Sequence, residues 1–307
     1  MILTVGEALM EFRRQTPDGR LTLPGAWAGP FPSGAPAIFA SVAARLGAPT
    51  ALAACVGADA FGRALVARLE RDGVDVDGVR IEPRRATATA FVAYDEGGDR
   101  RFWFSVHDSA AMELDVAAVE RLAERADWLH VSGSTLGFGG RPALAVEAAA
   151  ARVIERGGRL SLDPNLRSDA DAELRERTAR LARAAHVLFP SEGELAAVGL
   201  GAAELAGRGA IVCETRGRNG ALVFSGGDDP APIPVAEVAD VDATGAGDTF
   251  AAAFVTAVID GADARSAATF ACATAAGSVG VMGAMEAPIT HARAPHPPPR
   301  RPSPGHR

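Results

Sequence analysis

The sequence predicts an α/β protein with three αβα layers, a mostly parallel central sheet and a small separate β-sheet. Short apolar runs typical of buried strands alternate with helical patterns along most of the 307 residues, and such alternation favours a parallel sheet covered on both faces. Over residues 86–106 the alternation stops. There ATATAFVAY and RRFWFSV flank the turn DEGGD, and paired β-branched and aromatic runs around a glycine turn predict a β-hairpin.

The individual elements follow in chain order. ILTVGEALMEF at the start suits a buried first strand, and PAIFASVAARL predicts a helix that ends at Gly47. TALAACVG predicts a core strand, and an amphipathic helix follows it with Asp59 as its cap. The later predicted elements are helix 115–126, strand WLHVSG, helix 142–156, strand RLSLD, helix 171–184, strand HVLFP, helix 191–198, strand AIVCET, the hairpin GALVFSGG and two long helices from 245 and 263.

The hairpin is expected to join an irregular segment near the amino terminus in a lid. Residues 12–33 are rich in Gly and Pro, and a small sheet outside the main layer is where a substrate lid would be. We therefore expect one domain over 1–290, with a lid from about 12–33 and 86–108. The segment 291–307, HARAPHPPPRRPSPGHR, has no apolar face, and its Pro- and Arg-rich composition predicts disorder.

The composition excludes several classes of function. All 31 basic residues are arginine and none is lysine, which excludes a P-loop enzyme and a Schiff-base enzyme because both need a lysine. The net charge of −7 argues against nucleic-acid binding. No uninterrupted apolar run is long enough to predict a membrane span, and the amino-terminal residues do not resemble a signal peptide.

The cysteines and two of the histidines have structural interpretations. Cys55, Cys213 and Cys272 lie far apart in apolar runs, which is typical of buried thiols in the reducing cytoplasm, and we expect a cytoplasmic protein. His130 and His186 lie within apolar strand patterns and are predicted to be core histidines.

One stretch, DVDATGAGDTF at residues 240–250, carries a candidate site. Gly245 and Gly247 would let backbone N–H groups at the start of a helix point at one centre, and such a terminus binds anions. Asp248 in the first turn could take a proton from a substrate hydroxyl. A glycine turn followed by a simple helix cap accounts for these residues equally well.

This stretch and several other segments resemble the signature segments of one protein family. DVDATGAGDTFAAAF resembles the carboxyl-terminal signature of the ribokinase-like (PfkB) carbohydrate kinases, D-T-x-G-A-G-D-x-F. SGAPAIFASVAARLG with CVGADAFG resembles the amino-terminal signature, ETRGRNGALVF the nucleotide-side segment T-x-G-x-x-G, and PSEGEL the magnesium segment N-x-x-E. The resemblance covers about residues 1–290 and implies the ribokinase-like fold.

The resemblance also implies roles in phosphoryl transfer. Asp248 matches the family's catalytic base, and the backbone of Gly245, Ala246 and Gly247 matches its anion hole. Glu194 matches the acid that organises Mg²⁺, acting largely through water.

Two further groups of residues match the nucleotide side and a cation position. Thr215, Gly217 and Gly220 match the loop that approaches ATP, where glycines let the backbone come close to phosphate and ribose. Asp242 and Thr244 match positions that in relatives hold a monovalent cation such as K⁺ beside the anion hole.

On the sugar side, Glu11 falls where relatives place an acid that hydrogen-bonds sugar hydroxyls, and Gly34 lets the sugar approach the backbone. LDPNLR resembles the D-P-N-x-R segment of fructokinases and ketodeoxygluconate kinases, in which Arg167 would reach the transferred phosphate or the substrate. The substrate-side residues predicted in this way are Glu11, Gly34, Ile38, Phe104, His107, Asp163 and Asn165. Phe104 and Phe102 belong to a lid face that stacks on the substrate or packs on a partner.

Three departures from the family pattern concern the substrate. Ile38 replaces the signature's sugar-binding Asn, and Ser191 replaces the Asn of the magnesium segment while keeping an oxygen ligand. Val106 stands where ketodeoxygluconate kinases have an arginine that pairs the substrate carboxylate. Valine cannot pair a charge, which disfavours an acidic sugar unless Arg167 or Arg101 substitutes.

The sequence therefore predicts an ATP- and Mg²⁺-dependent kinase that phosphorylates a neutral ketohexose such as fructose or tagatose. The alternatives are a 2-keto-3-deoxygluconate kinase, a ribokinase or nucleoside kinase, and a non-catalytic sugar-binding regulator on the same fold. A Rossmann-type dehydrogenase fits poorly, because no G-x-G-x-x-G follows the first strand. Lid strands with free edges also predict a homodimer formed lid to lid.

Overall fold

The fold is described by a computed structural model, which covers residues 1–97, 100–167, 170–239 and 241–289. The β-strands are β1 Ile2–Val5, β2 Leu9–Arg14, β3 Trp27–Ser33, β4 Thr50–Gly57, β5 Val79–Glu82, β6 Thr89–Tyr94, β7 Arg100–Ser105, β8 Trp128–Ser132, β9 Arg159–Asp163, β10 Val187–Leu188, β11 Ile211–Thr215, β12 Ala221–Ser225 and β13 Ala231–Ile233. The α-helices are α1 Ala35–Arg45, α2 Ala60–Arg71, α3 Val116–Ala123, α4 Gly133–Gly137, α5 Gly140–Glu155, α6 Ala172–Ala184, α7 Glu194–Ala197, α8 Ala202–Gly207, α9 Ala246–Ile259 and α10 Ala264–Val279.

The central sheet has nine strands in the order β13-β12-β11-β10-β9-β8-β1-β4-β5. Every pair from β11 to β5 is parallel, and only β12 and β13 run antiparallel to their neighbours. Two separate apolar clusters lie against it: α1, α9 and α10 contribute to one, and α3, α5 and α6 to the other. This arrangement confirms the predicted three layers and mostly parallel sheet.

The lid is a second sheet of four strands in the order β3-β2-β6-β7. β2 and β6 are parallel, and the other two pairs are antiparallel. Because side chains alternate along a strand, one face of this sheet carries Glu11, Arg13, Tyr94, Phe102 and Phe104. The opposite face carries Phe12, Phe91 and Trp103.

The described helices begin in different ways, and several, among them α5 and α7, follow a glycine without a side-chain cap. Helices α2, α3, α6 and α10 are each capped by an aspartate that accepts a backbone N–H of the first turn, namely Asp59, Asp115, Asp171 and Asp263. Helices α1 and α9 instead begin at Gly34 and Gly245, both with positive φ and neither with a side-chain cap. Uncapped termini keep backbone N–H donors free for other partners.

Several boundaries differ from the sequence prediction. Strand β2 begins at Leu9 within the segment taken as one first strand, because Gly6 has φ 150° and turns the chain toward the lid. The four elements β5, β13, α4 and α8 had not been predicted; each has only three to six residues, too few for a clear period. Helix α7 has four residues instead of the predicted eight.

The two histidines also differ from each other. His130 is fully buried, stacked on Phe39 and bonded through Nδ1 to the Ser161 hydroxyl, as a core histidine should be. The same prediction is wrong for His186, which is exposed although its Nδ1 accepts the Leu160 N–H.

Among the residues that the structure describes, no helix is long and apolar enough to cross a membrane. The predicted disordered tail falls outside the described residues.

Candidate active site

Several predicted site residues lie where the carboxyl ends of β1 and β9 meet the amino terminus of α9. The loop after β9 and the residues just after β1 contribute carboxylates, and the lid covers them with the face that carries Glu11. Ligands in open α/β sheets bind outside the carboxyl ends of the strands, so this is the expected position for a site.

Asp248 lies in the first turn of α9, where its side chain is almost buried. The residue is 8% exposed, and its Oδ1 has no hydrogen-bond partner among the described residues. Burial raises the pKa of Asp248 well above its ordinary value, and the charges of Asp163 and Glu7 raise it further. A carboxylate that is deprotonated in such surroundings is a stronger base than one in water.

Gly245 fixes the entry into α9. Its φ is 76°, and a Cβ there would approach Ala284 and Ile38 to between 3.0 and 3.2 Å. Both the conformation and the crowding favour glycine. Next to it, Gly247 is close enough to Asp163 that an added Cβ would be 3.7 Å from the Asp163 Oδ2. The helix terminus and the loop after β9 therefore face one another.

Asp163 is the second buried acid of the site. Burial raises its pKa to about 7, with a contribution from the charge of Glu194, although the Asn165 N–H that it accepts acts in the opposite direction. Asn165 itself has φ 41°, the one described non-glycine residue with positive φ. This left-handed turn carries the chain away from β9 and leads to Arg167.

Glu7 is a third buried acid, and sequence reasoning missed it. It follows β1, is 4% exposed, and accepts hydrogen bonds of 2.7 Å from the hydroxyls of Ser134 and Thr135. Burial is the largest cause of its raised pKa. An acid placed directly after a buried parallel strand is a signal that could have identified it.

Glu11 faces the site from the lid and is likewise buried. It is 2% exposed, its Oε2 accepts the Ser33 hydroxyl at 3.2 Å, and its Oε1 has no partner among the described residues. Burial and the nearby charge of Asp242 raise its pKa to about 7. A buried acceptor without a partner fits the predicted hydrogen bond to a ligand hydroxyl.

Arg167 joins the loop after β9 to the lid. Its guanidinium carbon lies 4.8 Å from the ring centroid of Phe104 and 5.5 Å from that of Phe102, in cation–π geometry. Phe138, which had not been predicted, packs edge-on against Phe104 and His107 at the rim. The structure thus brings together three predicted residues, Arg167, Phe104 and His107.

Glu194 links the loop after β9 to the segment predicted to organise Mg²⁺. Its Oε1 accepts the Leu166 N–H and its Oε2 accepts the Ser191 N–H, both at 2.7 Å. Burial nevertheless raises its pKa. No group of three or more His, Cys, Asp or Glu residues that could hold a metal ion occurs in the described ranges, so Mg²⁺ at Glu194 would depend on water and phosphate oxygens.

The two glycines of the predicted nucleotide loop have different surroundings. Thr215 ends β11 and bonds to the Pro190 carbonyl, which places the loop beside β10. A Cβ on Gly217 would meet nothing within 4 Å, so this position leaves open space for a ligand. A Cβ on Gly220 would lie 2.0 Å from the Ile233 carbonyl oxygen, and this glycine is therefore needed for packing against β13.

At three of the positions discussed for the substrate, the residue packs against other parts of the protein. Ile38 is 2% exposed and lies against Gly245, underneath the anion hole. Gly34 has φ 104°, and a Cβ there would lie 2.6 Å from the Glu7 carbonyl oxygen. Val106, at the position of the carboxylate-reading arginine, is buried in an apolar cluster with Leu9.

Asp242 and Thr244 lie in the loop that precedes the anion hole. The Asp242 carboxylate accepts the Thr244 N–H, and the Thr244 hydroxyl lies 3.3 Å from that of Tyr94. Tyr94, Arg13 and Arg100 reach this loop from the lid, and sequence reasoning missed all three. Their contacts join residues more than 140 positions apart, so no local signal reveals them.

Comparison with known sequences decides the family. The sequence model described as "pfkB family carbohydrate kinase" matches residues 1–291. The chain belongs to this family. It is accordingly a carbohydrate kinase, and the resemblance drawn from its signature segments is confirmed.

Individual relatives of this PfkB protein agree with that assignment. A fructokinase from Salmonella typhimurium is 32% identical over 263 residues, which is 82% of each chain. A solved structure of a protein named ribokinase II from E. coli, in complex with ATP and Mg²⁺, has a TM-score of 0.86 at 35% identity and covers 93% of this chain and 94% of that one. A fructokinase double mutant from Vibrio cholerae O395, bound to fructose, ADP and potassium, has a TM-score of 0.78 at 30% identity with the same coverage.

The raised pKa of Asp163 predicts a pH dependence of stability. The ordinary pKa is 3.8 and the folded one about 7, so between these values the folded protein holds a proton that the unfolded chain has released. The free energy of unfolding then falls as the pH rises through this window. Asp163→Asn should reduce this slope by up to about 1.4 kcal/mol per pH unit, measured by urea unfolding from pH 4.5 to 7.5. The exposed Asp229→Asn is the control, and an unchanged slope in Asp163→Asn would contradict the assignment.

Proposed function

We propose that this PfkB kinase transfers the γ-phosphate of ATP to a hydroxyl of a neutral ketohexose of the fructose or tagatose type. The observation that carries the proposal is the nearly buried Asp248, with its unpartnered Oδ1, in the first turn of an uncapped helix. This geometry supplies both groups that the reaction needs: a base for the sugar hydroxyl and backbone donors for the phosphoryl oxygens.

The chain's own residues would act as follows. Asp248 would take the proton from the sugar hydroxyl as that oxygen attacks the γ-phosphorus in line, while the bond from the γ-phosphorus to the bridging oxygen breaks and ADP leaves. The N–H groups around Gly245, Ala246 and Gly247 stabilise the negative charge that develops on the transferred group. Since the chain has no lysine, arginine is the only fully charged side-chain donor available, and Arg167 is placed at the end of the adjacent loop.

ATP and Mg²⁺ are proposed as cofactors. The complex of the E. coli ribokinase II relative with both supports this. Glu194 would orient water on Mg²⁺, which when bound neutralises phosphate charge. Burial raises the pKa of the Glu194 carboxyl, and a nearby divalent cation would favour its ionised form.

The substrate assignment depends on the lid and on the curated relatives. Fructokinases match over most of this chain. Glu11 presents an unpartnered carboxylate oxygen suited to sugar hydroxyls, and Val106 is buried in an apolar cluster. The second candidate is 2-keto-3-deoxygluconate kinase, because Arg167 at the lid could pair a substrate carboxylate.

Removing the proposed base should separate catalysis from binding. In Asp248→Asn, turnover should fall by roughly 10²–10⁴-fold because no group accepts the proton, while the sugar affinity measured by calorimetry changes little. Asp260→Asn, at the carboxyl end of the same helix, is the matched control and should retain activity. Turnover of Asp248→Asn close to that of the wild type would exclude this mechanism.

A panel of acceptors tests the substrate class. ATP consumption should be highest with fructose or tagatose and low with ribose, 2-keto-3-deoxygluconate and adenosine, measured as kcat/KM with a coupled ADP assay. If 2-keto-3-deoxygluconate is preferred, Arg167→Met should raise KM for it more than for fructose, because a paired carboxylate loses its partner. No phosphorylation of any acceptor would favour the non-catalytic regulator.

We further propose a homodimer through the outer face of the lid. Trp103 is 57% exposed there and lies beside Phe91, which stacks on Phe12. Exposed aromatic surface of this kind is typical of interfaces. Trp103→Asp should convert the dimer to a monomer in light scattering, whereas Leu144→Asp, which changes a half-exposed leucine on α5, should not. A wild-type monomer would contradict the proposal.

A further inference from the structure

The carboxylate of Asp242 is fully engaged by protein groups. Its Oδ1 accepts hydrogen bonds from the Tyr94 hydroxyl at 2.9 Å and the Thr244 N–H at 3.1 Å. Its Oδ2 accepts the Gly283 N–H at 3.0 Å and lies 3.5 Å from Nη1 of Arg13. The side chain is 1% exposed, so this negative charge is compensated inside the protein by Arg13 and by hydrogen bonds.

The backbone on either side of Asp242 is occupied in the same way. Nη1 of Arg13 also donates to the Val241 carbonyl, and its guanidinium carbon lies 4.4 Å from the Tyr94 ring centroid. Nη1 of Arg100 lies 3.4 Å from the Ala243 carbonyl oxygen. Two arginines from the lid therefore take the oxygens immediately before and after Asp242.

These contacts do not fit a bound K⁺ at Asp242, the position that the family resemblance assigns to a monovalent cation. A cation would have to displace donors from a carboxylate whose two oxygens each already have two partners. It would also lie a few ångströms from the Arg13 guanidinium, and like charges at that separation repel strongly where water is largely excluded.

We propose that the guanidinium of Arg13 takes the place of the monovalent cation beside the anion hole, so that this enzyme works without K⁺. Arg13 is then a positioning residue: it holds Val241 and Asp242, and through them the loop that leads to Gly245 and α9. Its fixed charge also serves the electrostatic role that a loosely held ion would serve. The part of this inference that concerns turnover depends on the proposed function.

The replacement of K⁺ by Arg13 has a second consequence, because Arg13 belongs to a strand of the lid. Arg13 lies two residues after Glu11 on the same face of β2, so one strand carries both a predicted sugar contact and the support of the anion hole. Withdrawing β2 would remove the positive charge from Asp242. An uncompensated buried carboxylate is costly, and the anion hole is therefore organised only while the lid is in place.

The test compares K⁺ with a large cation that cannot enter such a site. Wild type, Arg13→Met and Arg14→Met are assayed in potassium chloride and in choline chloride at equal ionic strength, about 0.1 M, so that general screening is the same. Arg14 is the matched control because it is a buried arginine on the same strand whose partner is Asp18. Turnover and, without substrates, the melting temperature are both measured.

The wild type should show the same turnover and melting temperature in both salts. Arg13→Met should lose about tenfold or more in turnover in choline chloride, a loss typical of disturbed electrostatic support. Potassium chloride should restore much of this loss and should raise the melting temperature of this variant alone, because a ligand that binds only the folded state stabilises it. Arg13→Lys should remain insensitive to K⁺.

Three outcomes would overturn the proposal. These are a wild type that needs K⁺, an Arg13→Met protein whose turnover and melting temperature ignore K⁺, and a K⁺ response of equal size in Arg14→Met. The melting experiment requires no sugar, so it decides the cation question even if none of the tested sugars is an acceptor. Absence of phosphorylation in every salt would instead count against the proposed function.

Discussion

The chain enters α9 through a single left-handed residue, and the rest of the site depends on that turn. Gly245 combines φ 76° with contacts to Ile38 and Ala284 that leave no room for a side chain. The helix begins there without a side-chain cap; the Ala246 N–H donates to the Ala243 carbonyl in the preceding turn, and Asp248 follows in the first turn of α9. Any larger residue at 245 would change the direction of the helix and separate the donors from the acid.

The site also brings three acidic side chains close together. Glu7, Asp163 and Asp248 are all buried near the same strand ends, and each has a raised pKa for which burial is the first cause. In a chain without lysine, the compensating charge has to come from arginine, metal or backbone dipoles. Arg100 acts in this direction, since its charge favours the ionised forms of Glu11 and Asp248. The lid is thus an electrostatic component of the site as well as a cover.

The sequence predicted those parts of the site that lie in continuous segments. The α/β alternation predicted the central sheet, and the segments around Asp248, Glu194 and Asp163 predicted the acids that the structure brings together or links. Contacts between the lid and the main domain could not be predicted in this way. Arg13 and Val241 are 228 positions apart, and strand periodicity says only that Arg13 and Glu11 share a face.

Packing explains other limits of sequence reasoning. Ile38 and Val106 were considered as substrate positions because the family has polar residues there, yet both side chains fill apolar contacts. A local pattern identifies a position but does not show the direction in which its side chain points once the neighbouring strands are assembled. Glu7 shows the converse: its place after β1 is a local signal, but its partners Ser134 and Thr135 lie over 120 residues later and no local pattern reveals them.

In the proposed reaction, the divided hydrogen bonding of Glu194 would couple the binding of the two substrates thermodynamically. One oxygen holds the Leu166 amide in the loop that carries Arg167, and the other holds the Ser191 amide of the metal segment. A shift of this carboxylate toward a cation would change the geometry of these two hydrogen bonds, and with it the free energy of the loop that carries Arg167. Reciprocity requires that sugar binding alter the affinity for the metal nucleotide by the same factor. Under the proposed function, affinity for either substrate would therefore be a property of the pair, set partly by the side chain of Glu194.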